Sequence, residues 1–262
     1  MRLTKGYFNP FIGELIENYD GKFSNFPIVS EDIDSKIIEN YLNSTIDYQD
    51  IDSILEINGN HVVFHSYKNI EKISINLGAF SKGYVADRIN EYLKDKKETL
   101  LVNEGTSTIL AHGEQTWNVG IRDPHNKYSY IFALGINDNM SLSTSGSDQN
   151  YYLLDDGTIR CHILNPYTGY SENYYSLITV LCDSAMISDV LSTTLFSIED
   201  ATLALEIIND IESVYDVNID VCYVSEYDDE NLILKTTLER DKILNKSSSV
   251  LSTEVIEKWK RF

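Results

Sequence analysis

The sequence predicts an α+β fold, and three observations predict it. Segments with helical apolar spacing and short strand-like apolar runs both recur along the 262 residues. They mix without the strict strand–helix–strand alternation of a parallel sheet. No internal repeat or low-complexity linker separates them, and the length suits one large domain or two small lobes.

Residues 8–21 are expected to form a turn leading into a short helix, and residues 31–43 have helical periodicity. Residues 53–59 and 61–67 read as a hairpin around Asn58-Gly59. "KISINLG", residues 72–78, is expected to be a strand running into a glycine turn, with a helix over 81–95. Short strands follow at 99–105, 116–123, 130–136 and 140–146. Residues 160–170 read as a strand ending in an Asn-Pro-x-x-Gly turn. The strand 175–182 feeds a helix over 187–196, with Asp183 or Ser184 as its N-cap. A further helix is expected over 199–211, then strands at 220–224 and 232–237, and a closing helix over 252–262.

The net charge is −20, from 21 basic and 41 acidic side chains. Such a surface repels nucleic acid and anionic membranes, so neither is an expected partner. Three scattered cysteines, Cys161, Cys182 and Cys222, make neither a disulfide framework nor a zinc site and read as small buried residues. His61 and His65 lie in a strand-like run rather than in a zinc spacing. No run of about 18 apolar residues is present.

"ISDVLSTTLF", residues 187–196, contains an oddity. It reads as a buried helix, yet Asp189 and Thr193 stand one turn apart on one face of it. A buried carboxylate costs several kcal/mol unless it is paired or binds a cation. One reading is an Asp bonded to backbone and a Thr bonded back to its own helix. The other is a hard-cation site, since a carboxylate with a hydroxyl suits Mg²⁺, which takes few protein ligands.

Three glycine turns and one histidine accompany this pair. "NLGAFSKG", residues 76–83, exposes backbone N–H groups at a helix N-terminus, a natural seat for phosphate, with the Lys82 cation beside it. It is not a Walker A loop, because Tyr84 stands where the lysine must be. "NEGTS", 103–107, and "STSGSD", 143–148, are polar glycine turns that either join strands or line a site. His162 lies before a proline turn, as a packed residue or as a general base.

Taken together and in order, "NLGAFSKGYVAD", "VNEG", "STSGSD", "HILNPYTG" and "SDVLSTTLF" resemble the FAD:protein FMN transferases, the ApbE-type flavin transferases. Those signatures read roughly D-L-G-G-I-A-K-G-Y-x-x-D, N-x-G-G, S-G-D-Y, H-I-x-D-P-x-T-G and A-D-A-L-A-T-A. The blocks cover residues 76–196, and "YFNPFIG" at 7–13 looks like an earlier family block. Lys82, Gly83, Asp87, His162, Pro166, Gly169, Asp189 and Thr193 match; Asn76, Ala79, Thr106, Ser107, Ser147-Asp148 and Asn165 depart.

The resemblance implies one ApbE-like, T-fold-related domain over 1–262 with its site in a cleft between two lobes. It implies that Asp189, Thr193 and the Ser81 carbonyl hold Mg²⁺ against the FAD pyrophosphate, and that a threonine hydroxyl on a target protein attacks the FMN phosphorus as AMP leaves. Lys82 neutralises charge and His162 takes or orients the incoming proton, which makes Lys82, His162 and Asp189 the implied catalytic set. Gly78, Ser81, Lys82, Asn103, Gly105, Ser145, Gly146 and His162 are the implied cofactor-binding set. Hydrolysis of FAD to FMN and AMP, and a non-catalytic flavin-binding protein, are the competing readings. The family carries a long segment before the block found here at residue 7. Its shortening implies an opened adenine end of the pocket and a sheet edge open to self-association. Relatives are often membrane-anchored outside the cytoplasm, with cytoplasmic forms also known; the residues themselves show no compartment.

Overall fold

In the computed structural model the chain runs α1 (Gly13–Tyr19), β1 (Ile28–Val29), α2 (Ser35–Ser44), α3 (Ile51–Ile54), β2 (Leu55–Asn58), β3 (His61–Phe64), α4 (Ser81–Leu93), β4 (Leu100–Glu104), β5 (Thr108–His112), β6 (Trp117–Arg122), β7 (Tyr130–Ile136) and β8 (Ser141–Gly146). It continues through β9 (Tyr151–Leu154), β10 (Ile159–Cys161), β11 (Leu177–Cys182), α5 (Ala185–Phe196), α6 (Ala201–Tyr215), β12 (Ile219–Glu226), β13 (Leu232–Thr236), β14 (Ile243–Leu244) and β15 (Val250–Val255). The structure describes the chain apart from residues 20, 21, 24–27, 30, 68, 69, 71, 72, 97, 106, 227, 229 and 257–262. Mixed helices and largely antiparallel strands make this α+β, as the sequence predicts. Two units separate: residues 1–77 with 150–172, and residues 78–149 with 173–262.

In the first unit α1 and α2 bury Leu15, Tyr19, Ile38 and Tyr41 against Tyr152 and Leu164. Asp34 caps α2 by accepting the Lys36 N–H. The β2–β3 hairpin forms, but its ladder closes at Asn58 and His61, so the turn residues are Gly59 and Asn60. Gly59 alone of the two has positive φ, as a type II′ turn needs. Residues 73–77 are not a strand, and residue 72, where the expected strand begins, lies outside the described residues; Asn76 N–H donates to the Pro10 carbonyl at 2.8 Å. β9 pairs antiparallel with β10 and parallel with β1.

In the second unit seven strands run in the order β15-β13-β12-β11-β8-β5-β4, and β14-β7-β6 form a second sheet. Apolar residues of the two sheets, among them Phe132, Leu134, Leu142, Leu177, Leu181, Val224 and Leu234, make one core between them. β11 is buried at all six positions, so it reads as a continuous apolar run rather than an alternation. α4 and α5 pack on each other, with Ala86, Ala185, Val102 and Leu110 in one apolar cluster. The tail departs from expectation. Residues 250–255 form β15, parallel to β13, and not the start of a helix; β-branched Val250, Thr253 and Val255 suit that ladder. The remainder of the expected helix, 257–262, lies outside the described residues.

Candidate functional site

α5 begins where β11 ends, and its start is tied down twice. Ser184 is the N-cap and accepts the Ile187 N–H. Asp87, from α4, accepts the Ser184 hydroxyl (2.8 Å) and the N–H groups of Ala185 (2.7 Å) and Met186 (3.0 Å). A carboxylate on the exposed N–H groups of a helix N-terminus is a strong cap, so the retained Asp87 works as a clamp between two helices. Gly83 completes the clamp. A Cβ there would stand 2.2 Å from the Ala185 carbonyl oxygen, so only glycine lets α4 approach α5 this closely.

That approach delivers the Gly83 N–H to Asp189. The Asp189 Oδ2 accepts it at 3.0 Å, and the residue is only 4% exposed. Burial pushes the Asp189 carboxyl above its ordinary value, while the Lys82 charge, the Gly83 N–H and the Thr108 hydroxyl pull it back. Lys82 Nζ itself donates to the Gly78 carbonyl at 3.1 Å, which folds the glycine turn over the start of α4. Ser81 opens that helix, immediately before Lys82.

Thr193 lies one turn beyond Asp189 and is partly exposed, whereas Ser192 and Thr194 are buried. Its hydroxyl stands 3.4 Å from Ser145 Oγ, which stands 2.9 Å from Ser192 Oγ. Further along the seam, Ser188 meets Ser141 and Ser143 at 3.1 and 2.8 Å. The alternation of Ser141, Ser143 and Ser145 puts three hydroxyls on the sheet face beneath α5. Ser188 and Ser192, four apart, meet them from the helix. "STSGSD" is therefore not simply a turn: its first four residues finish β8, and the turn follows from Ser147. Gly146 ends the strand with Asp148 folded against it, and Arg122 pairs with Asp148. Burial raises the Asp148 carboxyl and Arg122 opposes that rise.

Gly78, Ser81, Lys82, Asp189, Thr193, Ser145 and Gly146 thus belong to one unit, and the hydrogen bonds described link α4, α5 and the end of β8. Asn103 and Gly105 lie on β4 and in the β4–β5 loop, two strands from β8 and roughly 10 Å away at ordinary strand spacing. Gly105 has positive φ, which the short loop requires; Thr106 lies outside the described residues.

His162 belongs to the other unit. It follows β10 rather than lying in a strand, is exposed, and donates its N–H to the Asn150 carbonyl at 3.0 Å. The turn after it is a built one. Asn165 Oδ1 accepts the Tyr167 N–H, and its amide donates to Glu172 at 2.8 Å. Tyr41 and Tyr19 donate to the carbonyls of Pro166 and Gly169. Asn165 keeps the turn that an Asp would make and adds a donor facing Glu172, where a second carboxylate would repel it.

The residues fit a hard cation. Asp189 supplies a buried anionic oxygen whose burial cost a dication would offset, and Thr193 supplies a neutral oxygen on the same helix face. No group of three or more His, Cys, Asp or Glu suited to a metal occurs among the described residues, so a softer, all-protein cage is not the pattern here.

The ApbE family matches residues 1–216 of the 262. The chain belongs to the ApbE family. It is 33% identical over 148 residues to an FAD:protein FMN transferase of Klebsiella pneumoniae (strain 342), covering 55% of this chain and 45% of that protein. It is 31% identical over 137 residues to an FAD:protein FMN transferase of Buchnera aphidicola subsp. Baizongia pistaciae, covering 50% of this chain and 40% of that one. The matches therefore span less than half the length of those relatives. Among solved structures, the ApbE protein of Thermotoga maritima superposes with a TM-score of 0.67 at 26% identity, covering 85% of this chain and 68% of that one. The flavin transferase ApbE of Vibrio cholerae shares the fold at 22% identity, with a TM-score of 0.62 over 95% of this chain and 71% of that one.

The sequence points to Asp189, Thr193 and Lys82, which the fold places on α4 and α5 of one unit; the Gly83 N–H, Thr108 and Ser192, which the structure sets beside them, carry no such mark in the sequence. The serine alternation in 141–145 and the 188/192 spacing were the available signals. They read as nothing more than polarity until strand and helix are known to face each other.

Proposed function

We propose that this protein transfers FMN from FAD to a threonine hydroxyl of a target protein, with Mg²⁺ bound and AMP released. The observation that carries the reading is the Asp189–Thr193 pair on α5, held against the glycine turn and Lys82 of a chain in the ApbE family. The relatives named FAD:protein FMN transferase support the substrate and the acceptor class.

In this reading Asp189, Thr193 and the Ser81 carbonyl hold the cation, which when bound neutralises charge on the FAD pyrophosphate. Lys82 adds a second positive charge, and the turn at Gly78 seats the phosphates near the N-terminus of α4. The new bond joins the threonine oxygen to the FMN phosphorus. The phosphoanhydride bond to AMP breaks, its oxygen leaves with the bonding pair, and the hydroxyl proton passes to a general base, the role the family resemblance gives to His162. Ser145 and Gly146 line the flavin side, as do Asn103 and Gly105.

Incubating the full chain with FAD, Mg²⁺ and a threonine-bearing acceptor, read by intact mass, tests the reading. An FMN adduct on the acceptor with stoichiometric AMP is expected. Free FMN and AMP without an adduct would make water the nucleophile and overturn the transferase assignment.

A further inference from the structure

The hydroxyls beside Thr193 form a chain whose direction is set by the group at its end. Ser192 Oγ donates to the Asp189 backbone carbonyl at 3.1 Å, and a carbonyl only accepts. Ser192 has a single proton, so its 2.9 Å contact with Ser145 is made by the Ser145 proton. Ser145 has then used its own, so its 3.4 Å contact with Thr193 is made by the Thr193 proton. The order is Thr193 to Ser145 to Ser192 to the Asp189 carbonyl. Each hydroxyl donates once and accepts from the one before it. Thr193 heads the chain: its proton is turned toward β8, and neither lone pair of its oxygen is used within this chain of bonds.

We propose that Ser145 and Ser192 are positioning residues that fix the Thr193 hydroxyl as an oxygen donor to a hard dication. The inference rests on the reading of Asp189 and Thr193 as the cation site and deepens it. Without Ser192, the Ser145 proton loses its acceptor and turns to Thr193. It then fills one of the two Thr193 lone pairs, and the Thr193 proton turns into one of the directions left, where it competes with the cation. Ser192 and Ser145 are both buried, so no water column replaces the lost acceptor without rearrangement.

The test is Mn²⁺ titration of the full chain, with ADP present as a pyrophosphate, read by the electron paramagnetic resonance of free Mn²⁺. Ser192→Ala should weaken Mn²⁺ binding roughly tenfold, the size seen when support for a metal ligand is removed. Thr193→Val should weaken it at least as much. The double variant should bind no worse than Thr193→Val alone, because Ser192 acts through the Thr193 hydroxyl; melting in EDTA should move little for either single variant. Wild-type Mn²⁺ affinity in Ser192→Ala, or a further loss when Ser192→Ala is added to Thr193→Val, would overturn the positioning role. Asp189→Ala separates the two readings. Loss of Mn²⁺ binding there with none in Ser192→Ala refutes the positioning alone, whereas Mn²⁺ bound as in wild type, or no binding by wild type itself, refutes the cation site beneath it.

Discussion

Asp189 is the residue on which the account turns. Its carboxylate is held by the Gly83 N–H and the Thr108 hydroxyl in a setting that disfavours charge, so it is kept at a cost that a cation would offset. Asp189→Ala should abolish FMN transfer and leave the fold largely intact, measured by adduct formation beside melting in EDTA. Thr193→Val keeps the shape and removes the oxygen, and should weaken Mg²⁺ dependence less severely. A different outcome is expected at His162. His162→Ala should slow transfer on the order of 10²–10⁴-fold, the usual effect of losing a general base, with FAD affinity nearly unchanged. Loss of FAD binding in step with rate would instead make His162 a binding or structural residue. These residues were legible because chemistry marks them: a carboxylate in an apolar helix, a lysine after a glycine turn. Gly83 was legible only as a motif letter. Its reason, a helix contact that leaves no room for a Cβ, is invisible until α4 and α5 are together.

At the scale of elements, α5 is held by the Asp87 clamp, and breaking it should cost more than an ordinary cap. Asp87→Ala removes a charged acceptor from three donors, and about 3 kcal/mol of stability should go with it, measured by urea denaturation. In the first unit, Asp32 accepts from Tyr152 (2.5 Å) and Arg160 (2.9 Å), which ties the segment before α2 to β9 and β10. Burial raises the Asp32 carboxyl, but the bonds from Tyr152, Arg160 and the Ile33 N–H more than reverse it, and the net is a lowered pKa. Its stabilisation is therefore present above the unfolded carboxylate value, near 4, and lost as pH falls through the lower folded value. Asp32→Asn should lower the melting temperature at neutral pH and flatten the acid limb of the stability profile; an unchanged acid limb would contradict this.

Helices α2, α4 and α6 were legible from an apolar stripe and α5 from an apolar run, and α2, α5 and α6 also have a polar cap. Strands were legible where β-branched and aromatic residues gather, as in the Ile-Thr-Val run of β11, the Tyr-Ile-Phe start of β7 and the alternating Ile219, Val221 and Tyr223 of β12. β5 was not foreseen: "TILAH" is short, and its burial comes from lying between β4 and β8. Residues 73–77 and the tail went the other way. "ISIN", residues 73–76, alternates like a strand but is not one, while "VLSTEV" gains a ladder from β13. Propensity names candidates for pairing, and the partner decides.

At the scale of the molecule, charge and thiols make separate predictions. A net charge of −20 opposes compaction, so added salt should raise the melting temperature. All three cysteines are buried and none is in a disulfide, and burial pushes the Cys182 and Cys222 thiols up to about 12. A thiol reagent should label none of them in the native chain at neutral pH and all three in denaturant. The central claim is that α5 holds the cation on which FMN transfer depends. The most direct test compares wild type with Asp189→Ala, each given FAD, Mg²⁺ and a threonine acceptor, by the intact mass of the acceptor. The account predicts an FMN adduct with wild type that disappears with EDTA, and none with Asp189→Ala at any Mg²⁺ concentration. An adduct formed by Asp189→Ala at the wild-type rate would contradict it.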